Sequence, residues 1–295
     1  MVDHSKKFQA VLHIVMVLLS LFCLIPIILL ISSSLTDEEV LIRNGYTMIP
    51  RKVSLLAYKY LLMDSVAVLR GYGITIFVTA AGTLMNVLIT LGLAYPLSRK
   101  DLPGRNILAF VIFFTTLFGG GLVPTYIMWT QVFQIKNTIW ALILPGLLLS
   151  PFNVIMTRTY FQSNIPEEVV EAARIDGASE LTTLVKVVMP MSLPIVATIG
   201  LLASLAYWND WMNGLYYIND DRYFSIQILL NKMLMDVQYL QSTTISGAGS
   251  ALAASLPSTG LKMAVAVLGA LPMLLIYPFF QKYFVKGITI GAVKG

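Results

Sequence analysis

Residues 165–181 read IPEEVVEAARIDGASEL, a polar stretch between two strongly apolar ones. Pro166 suits the first turn of a helix, and the acidic residues from Glu167 onward suit the positive end of the helix dipole. Gly177 supplies a left-handed stop for that helix. A second short helix is predicted to follow it and to end before the next proline. The stretch therefore predicts a stiff helix pair at about 165–188 rather than a flexible loop.

The first of these helices has two different faces. Val169, Ala172 and Ala173 fall on one side at helical spacing, and Glu171 falls on another, three residues before Arg174, its expected partner. A connector that rests on lipid headgroups is one interpretation, but such helices carry Lys and Arg opposite large apolar residues. An acidic helix with small alanines favours docking into a groove of another protein.

The rest of the chain has the composition of a membrane protein. Of its 295 residues, 57% are hydrophobic and 12% are charged, about half the share of charged residues in ordinary globular proteins, and the mean hydropathy is +0.78. The apolar residues form blocks of about 20, enough for a helix to cross a bilayer. We predict an all-α membrane protein with one transmembrane domain over residues 1–295. Its six spans are expected at about 10–31, 73–97, 107–129, 138–158, 192–217 and 262–281.

Two features refine this topology. Gly119-Gly-Gly and Pro124 interrupt the third span, so Leu122 to Phe133 is expected to form a short outer segment. The connection 98–106 holds three basic residues and 130–137 holds one. Because cytoplasmic loops are enriched in Lys and Arg, both termini are predicted to be cytoplasmic.

Several functional classes are excluded. Cys23 is the only cysteine, and the two histidines, His4 and His13, lie at the N-terminus, so a disulfide framework, a cysteine-based zinc site and histidine catalysis elsewhere in the chain are ruled out. No phosphate-loop motif occurs. An intramembrane enzyme would need a cluster of titratable groups, which the spans lack. The net charge of +5 suits loops that face anionic lipid rather than nucleic acid. We expect no catalytic residue, metal site or cofactor in this chain.

Polar residues recur on one face of two predicted spans. They are Thr79, Thr83 and Asn86 in the second span, and Ser150 and Asn153 in the fourth. One interpretation is the wall of a solute path. The other is tight helix packing, because small and hydroxyl residues also line helix contacts. An amide at the depth of Asn86 needs a partner in either case.

The helix pair carries a resemblance to a known family. Glu171-Ala172-Ala173, three residues, Gly177, nine residues and the run 187–190 (VVMP) resemble the EAA motif, EAA-x3-G-x9-I-x-L-P, of bacterial binding-protein-dependent ABC importer permeases. Val187 and Met189 replace the Ile and Leu of that pattern.

Other tracts resemble one branch of that family. The tract from Asn137-Thr-Ile-Trp to Trp208-Asn-Asp-Trp is similar to the sugar-importing, maltose-permease-G-like branch. The segment 119–126 (GGGLVPTY) and the tail 287–295 (GITIGAVKG) look closest to its lipoprotein-associated permeases for complex oligosaccharides.

The resemblance implies a fold, a function and partners. The fold would be the type I ABC importer permease (MetI-like) fold with six transmembrane helices, in a bacterial cell membrane. The chain would import oligosaccharides or complex glycan fragments, and the alternative is the same architecture importing a peptide, an amino acid or another small molecule. Its partners would be a second homologous permease, two ATP-binding cassette ATPase subunits that hold the ATP and Mg²⁺, an extracytoplasmic sugar-binding protein and membrane lipid.

The same resemblance assigns roles to individual residues. The ATPase-coupling helix would be the one that carries Glu171, Ala172, Ala173, Arg174 and Gly177, with Glu171 facing a basic residue of the ATPase. A tail contact with the ATPase dimer would involve Ile290, Gly291 and Lys294. A loop that enters the binding protein's sugar cleft would include Ser246, Gly247 and Gly249.

Overall fold

The computed structural model describes residues 6–63, 65–244 and 258–292. These residues are mostly helical, and the only β contact among them is an isolated bridge between Thr36 and Val53. Helices α1 to α15 are, in chain order, Lys6–Ser34, Glu38–Asn44, Leu56–Leu61, Ser65–Ser98, Arg105–Leu117, Leu122–Ile127, Trp140–Ile143, Pro151–Asn164, Glu167–Ile175, Glu180–Thr183, Met189–Met191, Leu193–Trp208, Met212–Tyr217, Ile226–Thr244 and Ser258–Ala292. Two π-helical turns, Met128–Val132 and Leu184–Val188, and a 3₁₀ turn, Asp221–Tyr223, complete the list.

The chain forms two compact units. The first comprises Met1–Val68 and Leu229–Pro272. Within it, both carboxylate oxygens of Glu38 accept backbone N–H groups at the start of α15, those of Thr259 and Gly260, each at 2.8 Å. Because the first N–H groups of a helix have no partner inside the helix, this carboxylate caps α15 from a distant part of the chain.

The second unit comprises Leu69–Ile228 and Met273–Gly295. Its apolar core joins α4, α8 and α12 through Leu91, Val154 and Ile199, all at most 1% exposed. Elsewhere α4 and α12 approach so closely that a Cβ on Gly82 would lie 2.5–2.7 Å from the ring of Tyr207. The glycine is therefore required by close packing.

Among the described residues, three helical segments are long and apolar enough to cross a membrane: Phe8–Ser34, Ser65–Ser98 and Thr259–Pro278. Two bent pairs bring the number to as many as five, Arg105–Leu117 with Leu122–Val132 at 109° and Glu180–Met191 with Leu193–Trp208 at 90°. The break predicted in the third span is therefore confirmed. Six spans and the cytoplasmic termini stay predictions.

Within the span predicted at 138–158 the helix is interrupted, since α7 ends at Ile143 and α8 begins at Pro151, and the span itself stays a prediction. One predicted helix boundary is wrong. The second helix of the pair does not end before Pro190, since the helical chain continues to Met191 and bends at Ser192. A proline is tolerated near the start of a helical turn, which Pro190 occupies.

Candidate functional site

The helix pair forms at the predicted place. Helix α9 runs from Glu167 to Ile175, and Gly177 follows it with φ +80°, the left-handed stop that the sequence predicts. The side chain of Ser179 then caps α10 by accepting the backbone N–H of Thr182 at 3.3 Å. A left-handed turn and an N-cap within three residues give the pair one defined geometry.

Burial divides α9 into an inner and an outer side. Val170 is its buried residue, 4% exposed, and Val169 and Ala173 are half-buried beside it. Glu171 and Ala172 are exposed. The two alanines of the motif thus differ, because only Ala173 turns partly toward the protein.

The predicted pairing of Arg174 with Glu171 is wrong. The guanidinium of Arg174 donates instead to Oε1 of Glu180, from Nε at 2.8 Å and from Nη2 at 2.6 Å. Its Nη1 lies 2.9 Å from Oδ2 of Asp101, in the connection between α4 and α5. A planar guanidinium can hold two carboxylates at once, whereas Glu171 on the outer side offers only an exposed one.

Two more side chains close this arrangement into a ring. The hydroxyl of Tyr95 donates to Oε2 of Glu180 at 2.7 Å, and Nε of Arg99 donates to Oδ1 of Asp101 at 3.2 Å. Tyr95 lies in the last turn of α4, and Arg99 directly follows its last residue, Ser98. We call these five residues, Tyr95, Arg99, Asp101, Arg174 and Glu180, the charge ring.

The charge ring keeps its carboxylates ionised. The hydrogen bonds from Arg99 and then Arg174 lower the pKa of Asp101 to about 2. The hydrogen bond from Tyr95, followed by that from Arg174, lowers the pKa of Glu180. Hydrogen bonds to the charged form of an acid favour that form.

A separate ion pair holds the start of the helix pair. Nζ of Lys100 lies 2.5 Å from Oε2 of Glu167 and lowers the pKa of that carboxyl. The basic connection 98–106 therefore contacts both ends of α9, the first turn through Glu167 and the last turn through Arg174.

The turn of the helix pair leaves an unusual surface. Ile175 is 87% exposed and Leu181 is 71% exposed. Glu171 makes no hydrogen bond or ion pair with the residues that the structure describes. Leu181 lines a pocket together with Tyr95, Arg174 and Glu180, whereas Glu171 and Ile175 lie one helical turn apart on the exposed side of α9. We call Glu171 with Ile175 the outward surface of the helix pair.

The break between α7 and α8 is the second unusual feature. Residues 144–150, which we call the unwound segment, lie between the two helices in a non-helical conformation, and Gly146 has φ +70°. Three side chains of other helices donate to carbonyls in or beside it: Tyr207 to Ile143 at 2.9 Å, Asn213 to Pro145 at 3.0 Å, and Asn86 to Leu147 at 2.8 Å. Irregular backbone among membrane helices requires such partners.

These hydrogen bonds show what two of the polar residues predicted on the faces of the second and fourth spans do. Asn86, 2% exposed, serves the unwound segment, and Oγ of Ser150 accepts the N–H of Asn153 at the start of α8. The hydroxyls of Thr79 and Thr83 are buried and have no partner among the described residues. Asn86 and Ser150 thus support local structure, and a solute path along these residues stays a prediction.

The structure says little about the remaining residues that the sequence predicted to be functional. Ser246, Gly247, Gly249 and Lys294 lie outside the described residues. Ile290 and Gly291 belong to the backbone of α15. Within the described ranges, no group of three or more His, Cys, Asp or Glu is placed to hold a metal ion.

Sequence reasoning missed four members of the charge ring, Tyr95, Arg99, Asp101 and Glu180. Glu180 lies six residues after Arg174 across the Gly177 turn, so a tight turn between two short helices was a usable signal for that pair. Tyr95 and Asp101 approach from a distant segment, and local spacing holds no signal for them.

Comparison with known proteins agrees with these features. Residues 84–290 match the family described as "Binding-protein-dependent transport system inner membrane component". The chain is 36% identical over 292 residues to the polygalacturonan/rhamnogalacturonan transport system permease protein YtcP of Bacillus subtilis, with 99% of each chain covered. It is 37% identical over 272 residues to the protein LplC of the same organism, covering 92% of this chain and 90% of that one.

A solved structure shares the fold. The chain is similar, with a TM-score of 0.76 and 27% identity, to a chain of a bacterial ABC transporter involved in the import of the acidic polysaccharide alginate, and 96% of this chain and 100% of that one are covered. The resemblance read from the sequence and the MetI-like fold are thereby confirmed. The chain belongs to the binding-protein-dependent transport system inner membrane components, the permeases of ABC importers.

Proposed function

We propose that this chain imports oligosaccharides or complex glycan fragments, and that its helix pair receives the ATP-driven motion of a separate ATPase. The supporting observation is the outward surface of the helix pair. Ile175 is 87% exposed, one helical turn from Glu171, whose carboxylate has no partner among the described residues, and Leu181 on the second helix of the pair is 71% exposed. Exposed apolar residues grouped on a rigid element mark interaction sites. A cleft with an apolar floor and one basic residue fits this surface.

The partners follow from symmetry and from the family. ATP-binding cassette ATPases work as a dimer, and this chain has one helix pair, so a second permease supplies the other docking element. The family description names a binding protein, which delivers the sugar from outside. ATP and Mg²⁺ bind the ATPase subunits. The most apolar window of α1 is 0% buried, which leaves that helix to contact lipid or the second permease.

The proposed orientation places both termini and the helix pair in the bacterial cytoplasm. The most basic short connection, 98–106, binds the helix pair through Lys100 and Asp101. Positive charge concentrates in cytoplasmic loops. The basic connection and the docking surface therefore lie on one face, as this orientation requires.

The proposed cargo rests on the similar proteins. One is named for polygalacturonan and rhamnogalacturonan transport, and another belongs to a transporter of the acidic polysaccharide alginate. We propose a glycan fragment of comparable kind, moved when the two permeases rock between outward-open and inward-open states. The chain itself changes no covalent bond.

The test uses the assembled transporter in proteoliposomes, with a second permease, an ATPase pair and a binding protein. Ile175→Ser should weaken ATPase association about tenfold or more, because burial of an isoleucine contributes about 1.5–3 kcal/mol and each 1.4 kcal/mol is a factor of ten. Ile49→Ser is the matched control, since Ile49 is 78% exposed in the segment expected outside. Equal ATPase association in the two variants would contradict the proposed docking surface. Absence of glycan uptake by the wild type would contradict the proposed cargo.

A further inference from the structure

We infer that the charge ring is the joint that makes α4 move together with the helix pair, and that Arg174 and Glu180 are positioning residues for transport. This inference rests on the proposed function. It concerns how motion that arrives at the outward surface reaches the membrane, which the docking surface alone does not explain.

The ring is closed, and closure has a mechanical consequence. It starts at Tyr95 of α4, passes through Glu180 and Arg174 of the helix pair, and returns through Asp101 to Arg99. Two links of the ring, that of Tyr95 with Glu180 and that of Arg174 with Asp101, therefore hold the helix pair to the end of α4 and to the connection after it, in addition to the pair of Lys100 with Glu167. Both are hydrogen bonds to charged groups, which are short and directional.

The exposure of the ring argues for a positional role rather than a stabilising one. The side chains of Arg174, Glu180 and Asp101 are 38%, 53% and 51% exposed, and exposed ion pairs contribute little to stability. Tyr95 is 6% exposed, so its ring is fixed by packing while its hydroxyl reaches Glu180. A buried anchor that holds an exposed carboxylate fixes a position at small energetic gain.

Helix α4 connects this joint with the unwound segment. Asn86 lies nine residues before Tyr95 in the same helix, about 14 Å away at 1.5 Å per residue. Its amide donates to the carbonyl of Leu147. Displacement of the helix pair is therefore carried by one continuous helix to the break between α7 and α8.

The experiment compares ring variants with matched controls in the reconstituted transporter. The ring variants are Arg174→Lys, Glu180→Gln and Tyr95→Phe. The controls are Glu168→Gln, an exposed carboxylate at the start of α9, and Tyr160→Phe; neither side chain has a polar partner among the described residues. The readouts are sugar transported per ATP hydrolysed, ATPase association and the melting temperature.

We expect ring variants to associate with the ATPase like the wild type and to melt only slightly below it, but to transport at least about fivefold less sugar per ATP, within the range of measured coupling effects. The double variant Tyr95→Phe/Asp101→Asn cuts both links, so its loss should exceed the product of the two single losses. Arg174→Lys tests whether the ring needs the planar guanidinium, because lysine keeps the positive charge but cannot donate to two carboxylates in the same geometry.

Two outcomes would overturn the inference while leaving the proposed function intact. One is a transport ratio in Glu180→Gln and Tyr95→Phe equal to that of the controls. The other is a double variant whose loss equals the product of its single losses. A wild-type complex without binding-protein-stimulated ATPase activity would instead contradict the proposed function. If Arg174→Lys fails to assemble, Tyr95→Phe decides, because it removes one oxygen atom and leaves every charge in place.

Discussion

The helix pair and the unwound segment are both held in place by side chains from distant parts of the chain, the first by charged groups and the second by neutral ones. Each is a place where the chain departs from regular membrane helix and must be held by distant side chains. The helix pair is held by ionised groups that are about half exposed, with Arg174 at the centre. The unwound segment is held by neutral donors, such as Asn86 and Tyr207, that are 2% exposed.

The difference follows from the surroundings of each region. Charges cost little next to water, and a guanidinium can orient two carboxylates there. Around the unwound segment the side chains are buried, and an ion there would pay a large desolvation cost, whereas an amide or a phenol hydroxyl can pair an orphan carbonyl without one. We therefore expect the unwound segment to control stability and the helix pair to control coupling.

The largest effect on stability is expected at Gly82, which packs against Tyr207, one of the donors to the unwound segment. Gly82→Ala places a Cβ 2.5–2.7 Å from the ring of Tyr207, and that ring has no freedom to move because its hydroxyl binds Ile143. Overpacking of this kind costs about 1–3 kcal/mol. Gly92→Ala in the same helix is the control, since nothing lies within 4 Å of its Cβ. Equal unfolding free energies for the two variants would refute the close packing.

The next effect comes from removal of a donor. Asn86→Leu leaves the carbonyl of Leu147 unpaired, which should lower the free energy of unfolding by about 1–3 kcal/mol. Thr79→Val removes a buried hydroxyl without a described partner, so its free energy of unfolding should stay equal or rise. Denaturation curves in detergent measure both free energies of unfolding. If Thr79→Val lowered the free energy of unfolding as much as Asn86→Leu does, the loss of any buried polar group would be destabilising, and the hydrogen bond from Asn86 to Leu147 would have no special role.

A smaller effect is expected at the turn of the helix pair. Gly177 has φ +80° and open space around its Cβ, so Gly177→Val acts through backbone strain alone, about 1–2 kcal/mol. Gly177→Asn should restore most of the stimulated ATPase activity, because asparagine tolerates the left-handed conformation. Equal activity of the valine and asparagine variants would mean that the turn has no role in coupling.

The smallest effect is expected from pH. Asp101 has a pKa lowered to about 2 and that of Glu180 is also lowered, so their contribution is present above the unfolded values and is lost only as pH falls through the folded ones. The melting temperature difference between the wild type and Asp101→Asn should be constant from pH 8 to pH 5 and should shrink below about pH 4. A change between pH 6 and pH 7 would show that another group titrates in the charge ring.

Sequence patterns predicted what depends on local chemistry. The helix α9, its stop at Gly177 and the break at Gly119-Gly-Gly follow from capping, dipole and glycine rules that act within a few residues. The membrane class follows from composition. These features needed no knowledge of distant contacts.

What the sequence could not predict depends on contacts far along the chain. The interruption within 138–158 falls at Pro145, Gly146 and Pro151, residues that break helices locally. The side chains that pair the freed carbonyls, those of Tyr207, Asn213 and Asn86, come from distant segments, and the sequence of 138–158 does not identify them. Several acidic residues lie near Arg174 in the sequence, Glu171 and Glu180 among them. Arg174 pairs with Glu180 because the turn at Gly177 brings Glu180 close to both Arg174 and Tyr95.

The most direct test of the account is the binding-protein-stimulated ATPase activity of the complete complex with Glu171→Ala. The carboxylate has no described partner in this chain, so the variant should fold and melt like the wild type. Docked against a basic residue, it would contribute about 2–5 kcal/mol, and stimulated activity should fall about tenfold or more. Glu168→Ala should retain full stimulation. Wild-type stimulation with Glu171→Ala would contradict the assignment of Glu171 to the ATPase contact.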